Sequence, residues 1–420
     1  MKILVVGSGG REHAIVWKLS QSPDAEKIYC APGNFGISKL AECVDIKVND
    51  FKGLTSFAKE NQIDLTVVGP DDPLVDGIVD AFENEGLRVF GPRANAAIIE
   101  GSKVFSKELM KKYNIPTAAY EVFDNSKDAL AYISKQNTYP TVIKAEGLAL
   151  GKGVIIAQNF DEAKDAIYDI MEKKVFGDSG NRVVIEEFLT GQEVSILSFT
   201  DGKTIVPMVT AQDHKRAYDN DMGPNTGGMG TFSPSRTFTE EMSKFTYDNI
   251  LVPTMNALNS EGRTFKGIIF FGLMMTPKGV KVIEYNARFG DPETQVVLPR
   301  LKSDLLEIFN AVVDERLAEV KVEWEDNAAV CVVCATGGYP KKYETGYEIT
   351  GIETAESKDG VTVFHAGTKG NDGKCVTGGG RVLGVTALDE NLDKAIKKAY
   401  EAVGDISFTD MHFRKDIGVK

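Results

Sequence analysis

From Met1 to about Pro92 the chain alternates short apolar runs with amphipathic helical patterns, and this alternation restricts its fold more than any other feature. ILVV at 3–6, DLTVVG at 64–69 and LRVFG at 87–91 are separated by stretches such as HAIVWKLSQS and PLVDGIVDAFENEG. Short buried strands joined by helices form βαβ units, which lay the strands parallel and put ligand-binding loops beyond their C-terminal ends. Two segments fall at such ends, GSGGREH at 7–13 and GPDDPLVDG at 69–77, and they are expected to face one pocket.

The first of these, in VVGSGGREH, is a glycine turn at a strand-to-helix junction, where free backbone N–H groups can hold phosphate. A dinucleotide fingerprint requires glycine at its first, third and sixth places. Here those places are Gly7, Gly9 and Glu12, so the last one fails. What survives is a turn whose N–H groups, with Arg11 and His13 behind them, suit an anion, against the plainer reading of an ordinary strand-to-helix turn.

At 420 residues the chain is too long for one ordinary domain. Its 48 Lys and Arg against 61 Asp and Glu leave a net charge of −13 without a dense basic run, which argues against nucleic acid as a partner. Cys30, Cys43, Cys331, Cys334 and Cys375 are odd in number and scattered, so no disulfide framework is expected and a reducing cytoplasm is. Cys331 and Cys334 form a CxxC inside the apolar run AAVCVVCA, which reads as core strand rather than a metal site. No stretch of about 18 apolar residues and no signal-peptide pattern appears, so neither a membrane span nor export is predicted.

After about Gly101 the texture changes. GSKVFSKELMKKYNIP predicts a helix ended by Asn114 and Pro116, and YPTVIKAEG, GKGVIIAQN, a helix over 160–174 and NRVVIEEFLTGQEVSILSFTDG predict a small antiparallel unit. KAEGLALGKGV departs from the P-loop in its glycine spacing and lacks the Ser or Thr after GK. It remains a glycine-rich turn carrying Lys144 and Lys152, either a bland hairpin or a lid over a polyphosphate. Glu186 and Glu187 beside Phe188, with Glu193 after the turn, suit either a solvated strand edge or a hinge that meets adenine and ribose. The stretch from Thr210 to Pro234 is too rich in Gly, Asp and Asn for regular structure and too specific for a mere linker.

The strongest local signal is VIEYNARFGDPETQ at 282–295. Residues two apart on a strand share a face, which groups Glu284, Asn286 and Arg288. Two oxygen donors beside an arginine suit a magnesium–phosphate site, because magnesium binds through few protein oxygens plus substrate phosphates. The arginine then meets charge that develops during the reaction.

GSGGREHA, GPDDPLVDGIVD, FGP at 90–92, EGSK at 100–103, VIKAEGLALGKGV, AQDHKRAYDNDMGPNTGGMG, RFGDPETQ, FHAGT, GGGRVLGVTA and FRKDIG occur in that order along the chain. Together they resemble the ATP-grasp superfamily of carboxylate–amine ligases, and within it the phosphoribosylamine–glycine ligase family. The resemblance implies an α/β and α+β multidomain fold. A parallel βαβ domain would cover 1–100, an ATP-grasp domain 101–325 with its lid at about 120–190, and a strand-rich domain 326–420. It also implies the reaction: ATP phosphorylates the carboxylate of glycine, and the amine of 5-phosphoribosylamine attacks the glycyl phosphate to give glycinamide ribonucleotide, ADP and phosphate.

Carried over residue by residue, the resemblance gives Lys103, Lys144 and Lys152 to the ATP phosphates, Glu186, Glu187 and Phe188 to adenine, and Glu193 to ribose. Glu284 and Asn286 would hold Mg2+ or Mn2+, and Arg288, Asp291 and Lys215 are the catalytic candidates. Asp213, His214, Lys215, Arg288, Gly290 and Pro292 would line the substrate pocket, while Gly9, Gly10 and Arg11 would hold the ribose 5-phosphate. Glu146, Leu150, Asp71 and Phe413 depart from the commoner family pattern, Asp71 by exchanging one carboxylate for another. A cytoplasmic monomer is expected. The rival readings are an NAD-dependent dehydrogenase, which the missing sixth glycine disfavours, a non-enzymatic nucleotide sensor, and a sibling ligase or carboxylase of purine metabolism.

Overall fold

The computed structural model describes residues 1–149 and 153–419. The first unit is a five-stranded sheet in the order Glu42–Cys43, Lys27–Pro32, Lys2–Gly7, Leu65–Val68, Val89–Phe90, with every pairing parallel. Chain order reverses between Lys2–Gly7 and its neighbour Leu65–Val68, which puts a crevice beyond their C-terminal ends. Helix Gly10–Leu19 starts at that crevice. The single helix expected from PLVDGIVDAFENEG is two, Asp71–Val75 and Ile78–Asn84, because Gly77 at φ 94° takes a left-handed conformation that ends the first.

Two antiparallel sheets follow. One joins Tyr120–Phe123, Val183–Glu187, Thr141–Ala145 and Val154–Ala157 and shares a core with helices Ser126–Gln136 and Phe160–Ile167, built from residues such as Ala129, Ile143 and Ile167. The other joins Ile205–Pro207, Gln192–Thr200, Gly267–Thr276 and Gly279–Asn286. The predicted strand–turn–strand at 181–202 therefore does not close a hairpin: its strands enter different sheets, and residues 188–191 connect them.

A third sheet runs Gln212–Asp213, Gly230–Ser233, Ala328–Thr336, Arg381–Asp389, Val361–His365, with Met411–His412 also paired to Ala328–Thr336. Two of its strands come from the segment expected to lack regular structure, which also forms the hairpin Arg216–Tyr218 and Met222–Asn225. The fully buried strand Ala328–Thr336 supplies a partner for Gly230–Ser233, and that tertiary pairing overrides a poor local propensity. The loop bearing Asp213, His214 and Lys215 is thereby held by sheet pairing on both sides. Cys331 and Cys334 lie in the same strand, where burial pushes each thiol up to about 12, as the core-strand reading expected.

Helix Gly10–Leu19 packs against strand Val361–His365 through histidines. The His365 N–H donates to His13 Nδ1 at 2.7 Å, and the His13 ring meets Phe364 edge-on. Burial, with Lys39 nearby, lowers His13 to about 3 and His365 to about 4. Burial also lowers His214 to about 4, with Arg414 adding to the effect and Asp221 and Asp416 opposing it. Each is neutral when folded and takes a proton near 6.5 when unfolded, so its stabilisation is complete above 6.5 and is lost as pH falls toward the folded value. Thermal melting should drop steeply between pH 6.5 and 5, by about 2 kcal/mol per histidine at pH 5. A His13→Asn variant, less stable at neutral pH, should show a shallower decline, and an equal slope would contradict the assignment.

Candidate active site

Strand Gly279–Asn286 presents Glu284 and Asn286 on one face, and Arg288 lies just past its end. The Arg288 guanidinium returns to that face, donating from Nη2 to Asn286 Oδ1 at 3.1 Å and pairing with Glu100 Oε1 at 2.9 Å. Nη1 donates to Phe289 O at 3.2 Å, and Asp71 Oδ2 stands 3.7 Å from Nη2. Glu100 also accepts the Ala287 N–H at 2.6 Å, so one buried carboxylate fixes both the arginine and the backbone before it. Burial pushes Glu100 up to about 7 despite Arg288. Burial would raise Asp71 too, but Arg288 and Arg11 hold it below its ordinary value. Arg288 Nε is buried and has no hydrogen-bond partner among the described residues.

The glycine loop is organised by the residue that spoiled the dinucleotide fingerprint. Glu12 accepts the Gly9 N–H at 2.6 Å and pairs with Arg11 Nε at 2.5 Å. Its side chain fills the crevice between the two central strands: a Cβ on Gly7 or Gly69 would lie 2.3 or 2.2 Å from it. The Gly9 donor is therefore already engaged, and Gly10 is the buried first residue of the helix. Arg11 Nη1 reaches across to donate to Phe289 O at 3.2 Å.

Three separate parts of the chain thus meet at the turn 288–292. Arg11 comes from helix Gly10–Leu19, Glu100 from helix Ala94–Gly101, and Arg381 from the third sheet. Arg381 Nη1 donates to Asp291 O at 2.9 Å and to Gly227 O at 2.7 Å, tying the 223–230 glycines to the turn. A Cβ on Gly228 would lie 2.4 Å from Pro292 Cδ, so this approach requires glycine. Asp291 accepts from Gln295 Nε2 at 2.9 Å, and Arg381 and Arg11 outweigh burial to keep its carboxyl below the ordinary range. Burial and the nearby Glu293 raise Asp213, whose Oδ1 has no hydrogen-bond partner among the described residues.

Opposite the turn, Lys215 pairs with Glu193 at 2.8 Å and lies 3.8 Å from Glu284. Burial works against the charges of Lys215 and Glu284, but opposite charges dominate: Lys215 is raised by Glu193 and Glu284, and Glu284 is lowered by Lys215, Lys144 and Lys103. Lys103 Nζ donates to Gly147 O at 2.9 Å, and Lys144 Nζ to Ile283 O at 3.2 Å. Lys152 lies outside the described residues.

The expected carboxylate pair on the lid strand is split by strand alternation. Glu186 is buried between Lys144 and Lys107, 3.0 Å from each, whereas Glu187 faces the other way to Lys281 at 2.8 Å and accepts the Ala119 N–H. Phe188 beside them is partly exposed. The His214 ring is turned from the pocket, against Phe232, and accepts the Gly418 N–H. The structure thus gathers Lys103, Lys144, Glu193, Lys215, Glu284, Asn286, Arg288 and Asp291 around one cleft, and leaves His214 and Glu187 facing elsewhere. Sequence reasoning missed Glu12, Glu100, Lys107, Glu293 and Arg381. Lys107 carried a usable signal, lying one helical turn after Lys103 on the same face.

Comparison with known proteins shows the family. Models of the phosphoribosylglycinamide synthetase N domain, ATP-grasp (A) domain and C domain match residues 1–100, 101–294 and 329–420. A phosphoribosylamine–glycine ligase of Caldanaerobacter subterraneus is 52% identical over 99% of both chains, and one of Clostridium acetobutylicum is 53% identical over 100% of this chain and 99% of its own. The chain belongs to the phosphoribosylamine–glycine ligase family. It is an ATP-dependent carbon–nitrogen ligase of purine biosynthesis that produces glycinamide ribonucleotide. The crystal structure of the phosphoribosylamine–glycine ligase from Thermotoga maritima superposes over 100% of both chains, with TM-score 0.82 and 33% identity. A biotin carboxylase domain of Hydrogenobacter thermophilus 2-oxoglutarate carboxylase, 15% identical and covering 98% of this chain and 91% of its own at TM-score 0.75, shares the fold. The parallel first sheet, central ATP-grasp unit and strand-rich last section are those of the ligase family.

Proposed function

We propose that ligation runs through glycyl phosphate in the cleft around the 288–292 turn. The observation that carries this reading is the convergence of Arg11, Glu100 and Arg381 on that turn, which brings an anion-suited loop and a cluster of lysines and carboxylates to one place. A carboxylate is a poor electrophile until phosphorylated, and phosphoryl transfer depends on positioning and charge more than on a nucleophilic side chain. Lys103, Lys144 and Lys152 hold the ATP phosphates, Glu186 orients Lys144 from beneath, and Glu193 takes the ribose. Asp213 and Glu293 supply buried acceptors for an amino group. The ribose 5-phosphate sits at the Gly9–Gly10 turn, and since Glu12 already takes the Gly9 N–H, Arg11 carries the contact.

A divalent cation fits the donor set. Glu284 is held ionised, Asn286 adds one neutral oxygen, and no cluster of metal-binding side chains among the described residues completes a cage. Two protein oxygens plus phosphate oxygens and water suit Mg2+ or Mn2+, which neutralises phosphate charge when bound. The glycine carboxylate oxygen attacks the γ-phosphorus and ADP leaves. The amine then attacks the acyl carbon, Arg288 steadies the oxyanion, and phosphate departs with one glycine oxygen as the nitrogen loses a proton. The five cysteines are all free, which suits the reducing cytoplasm in which we propose the enzyme works, as a monomer.

Glycine labelled with 18O in its carboxylate should deliver one labelled oxygen to inorganic phosphate, and sustained ADP release should need glycine and phosphoribosylamine together. Unlabelled phosphate, or sustained release with another amine, would overturn this reading.

A further inference from the structure

Residues 411–418 lie far from the reacting groups in sequence, yet they wrap the hairpin that follows Lys215. Arg414 is fully buried and divides its guanidinium between Asp416 of its own segment and that hairpin. It binds Asp416 bidentately, Nε to Oδ1 at 2.8 Å and Nη2 to Oδ2 at 2.7 Å, pairs with Asp221 at 2.9 Å and donates to Arg216 O at 3.1 Å. The contacts run in both directions. The Asn220 N–H donates to Asp416 Oδ2 at 2.9 Å, the Lys415 N–H to Asp219 Oδ1 at 2.8 Å, and His412 Nε2 pairs with Ala217 O at 2.8 Å.

The segment is itself anchored. Tyr400, on helix Leu392–Val403, donates its hydroxyl to Arg414 O at 2.8 Å and accepts the Ile417 N–H at 2.9 Å. On the other side, Thr226 fixes the backbone of Lys215, donating to its carbonyl from both N and Oγ1. Helix Leu392–Val403 thus holds a strap stiffened by its own bidentate Arg414–Asp416 pair, and the strap grips the hairpin at Asp221, Asn220 and the Arg216 carbonyl, next in sequence to the residue that spans Glu193 and Glu284.

We propose that residues 411–418 are a strap that positions Lys215 in the cleft, with Arg414 as its principal positioning residue. The inference rests on the reading of Lys215 as a site residue. An ammonium on a flexible four-carbon stem gains little from its own rotamers, so its backbone must be held for the charge to meet a reacting group reproducibly.

A double-mutant cycle on the full-length enzyme tests this. Lys215→Ala should lower kcat about a hundredfold. Arg414→Met should lower it about tenfold alone and add nothing in the Lys215→Ala background, because the strap acts through that lysine. Arg414→Lys, which restores the charge without the bidentate fork, should recover part of the loss. Tyr400→Phe removes only a hydroxyl and keeps the packing, so it serves if Arg414→Met fails to fold; a loss of about threefold, again absent in the Lys215→Ala background, is expected. Additive losses, or wild-type kcat in Arg414→Met and Tyr400→Phe, would overturn the strap while leaving Lys215 in the site. Wild-type activity in Lys215→Ala would instead overturn the reading of Lys215 on which the strap rests.

Discussion

Arg288→Ala is expected to lower kcat for ADP release about a thousandfold, on the order of 4 kcal/mol of transition-state stabilisation, with a modest effect on folding. The guanidinium has one buried N–H, at Nε, without a partner among the described residues, while its other donors are fixed by Glu100, Asn286 and the Phe289 carbonyl. A donor anchored in this way costs no reorganisation when charge develops on a transferred phosphoryl group or a tetrahedral intermediate. Removing a buried cation ordinarily strands its partner, but Glu100 already sits at about 7 and can take a proton when Arg288 is lost. The melting temperature of Arg288→Ala should therefore fall by only a few degrees, and less at pH 6 than at pH 8. Arg288→Lys keeps the charge but loses the planar fork, so it should recover little of the rate. A kcat within tenfold of wild type in the alanine variant would remove Arg288 from the chemistry.

The same turn separates what is legible in the sequence from what is not. Glu284, Asn286 and Arg288 stand out because polar residues at a spacing of two interrupt an otherwise apolar strand, and they do face one cleft. The parallel first sheet is equally readable, since buried strands alternating with amphipathic helices leave few other packings. Glu186 and Glu187 are half-legible: adjacency suggests a shared role, but the strand's pleat sends one to Lys107 and Lys144 and the other to Lys281. Arg381 carries no local sign at all, because its acceptors at Gly227 and Asp291 are 154 and 90 residues away and only sheet pairing brings them together. Glu12 was visible as a missing glycine. Its positive role, filling the crevice and engaging Gly9 and Arg11, depends on Gly69, just past the end of strand Leu65–Val68.

Glu284→Ala should abolish metal-dependent turnover, by about a thousandfold or more at metal concentrations that saturate the wild type, while the fold persists. Glu284 is surrounded by the charges of Lys215, Lys144, Lys103 and Arg288, which keep it ionised although burial opposes this. Those cations keep other partners: Lys215 retains Glu193, Lys144 retains Glu186, Arg288 retains Glu100, and Lys103 keeps its hydrogen bond to the Gly147 carbonyl. Loss of the carboxylate therefore removes an anionic oxygen from the cleft without stranding a partner, which is why stability should change little. Glu284→Gln keeps an oxygen at the same position without its charge, so it should bind the cation more weakly and shift the Mg2+ titration to higher concentration. Mn2+ binds oxygen and nitrogen donors more tightly than Mg2+ and accepts less regular geometry, so it should rescue Glu284→Gln more fully than Mg2+ does. Activity measured against each metal, beside melting curves for the same preparations, decides the matter. Wild-type turnover and an unshifted metal titration in Glu284→Ala would mean that the cation is held elsewhere in the cleft.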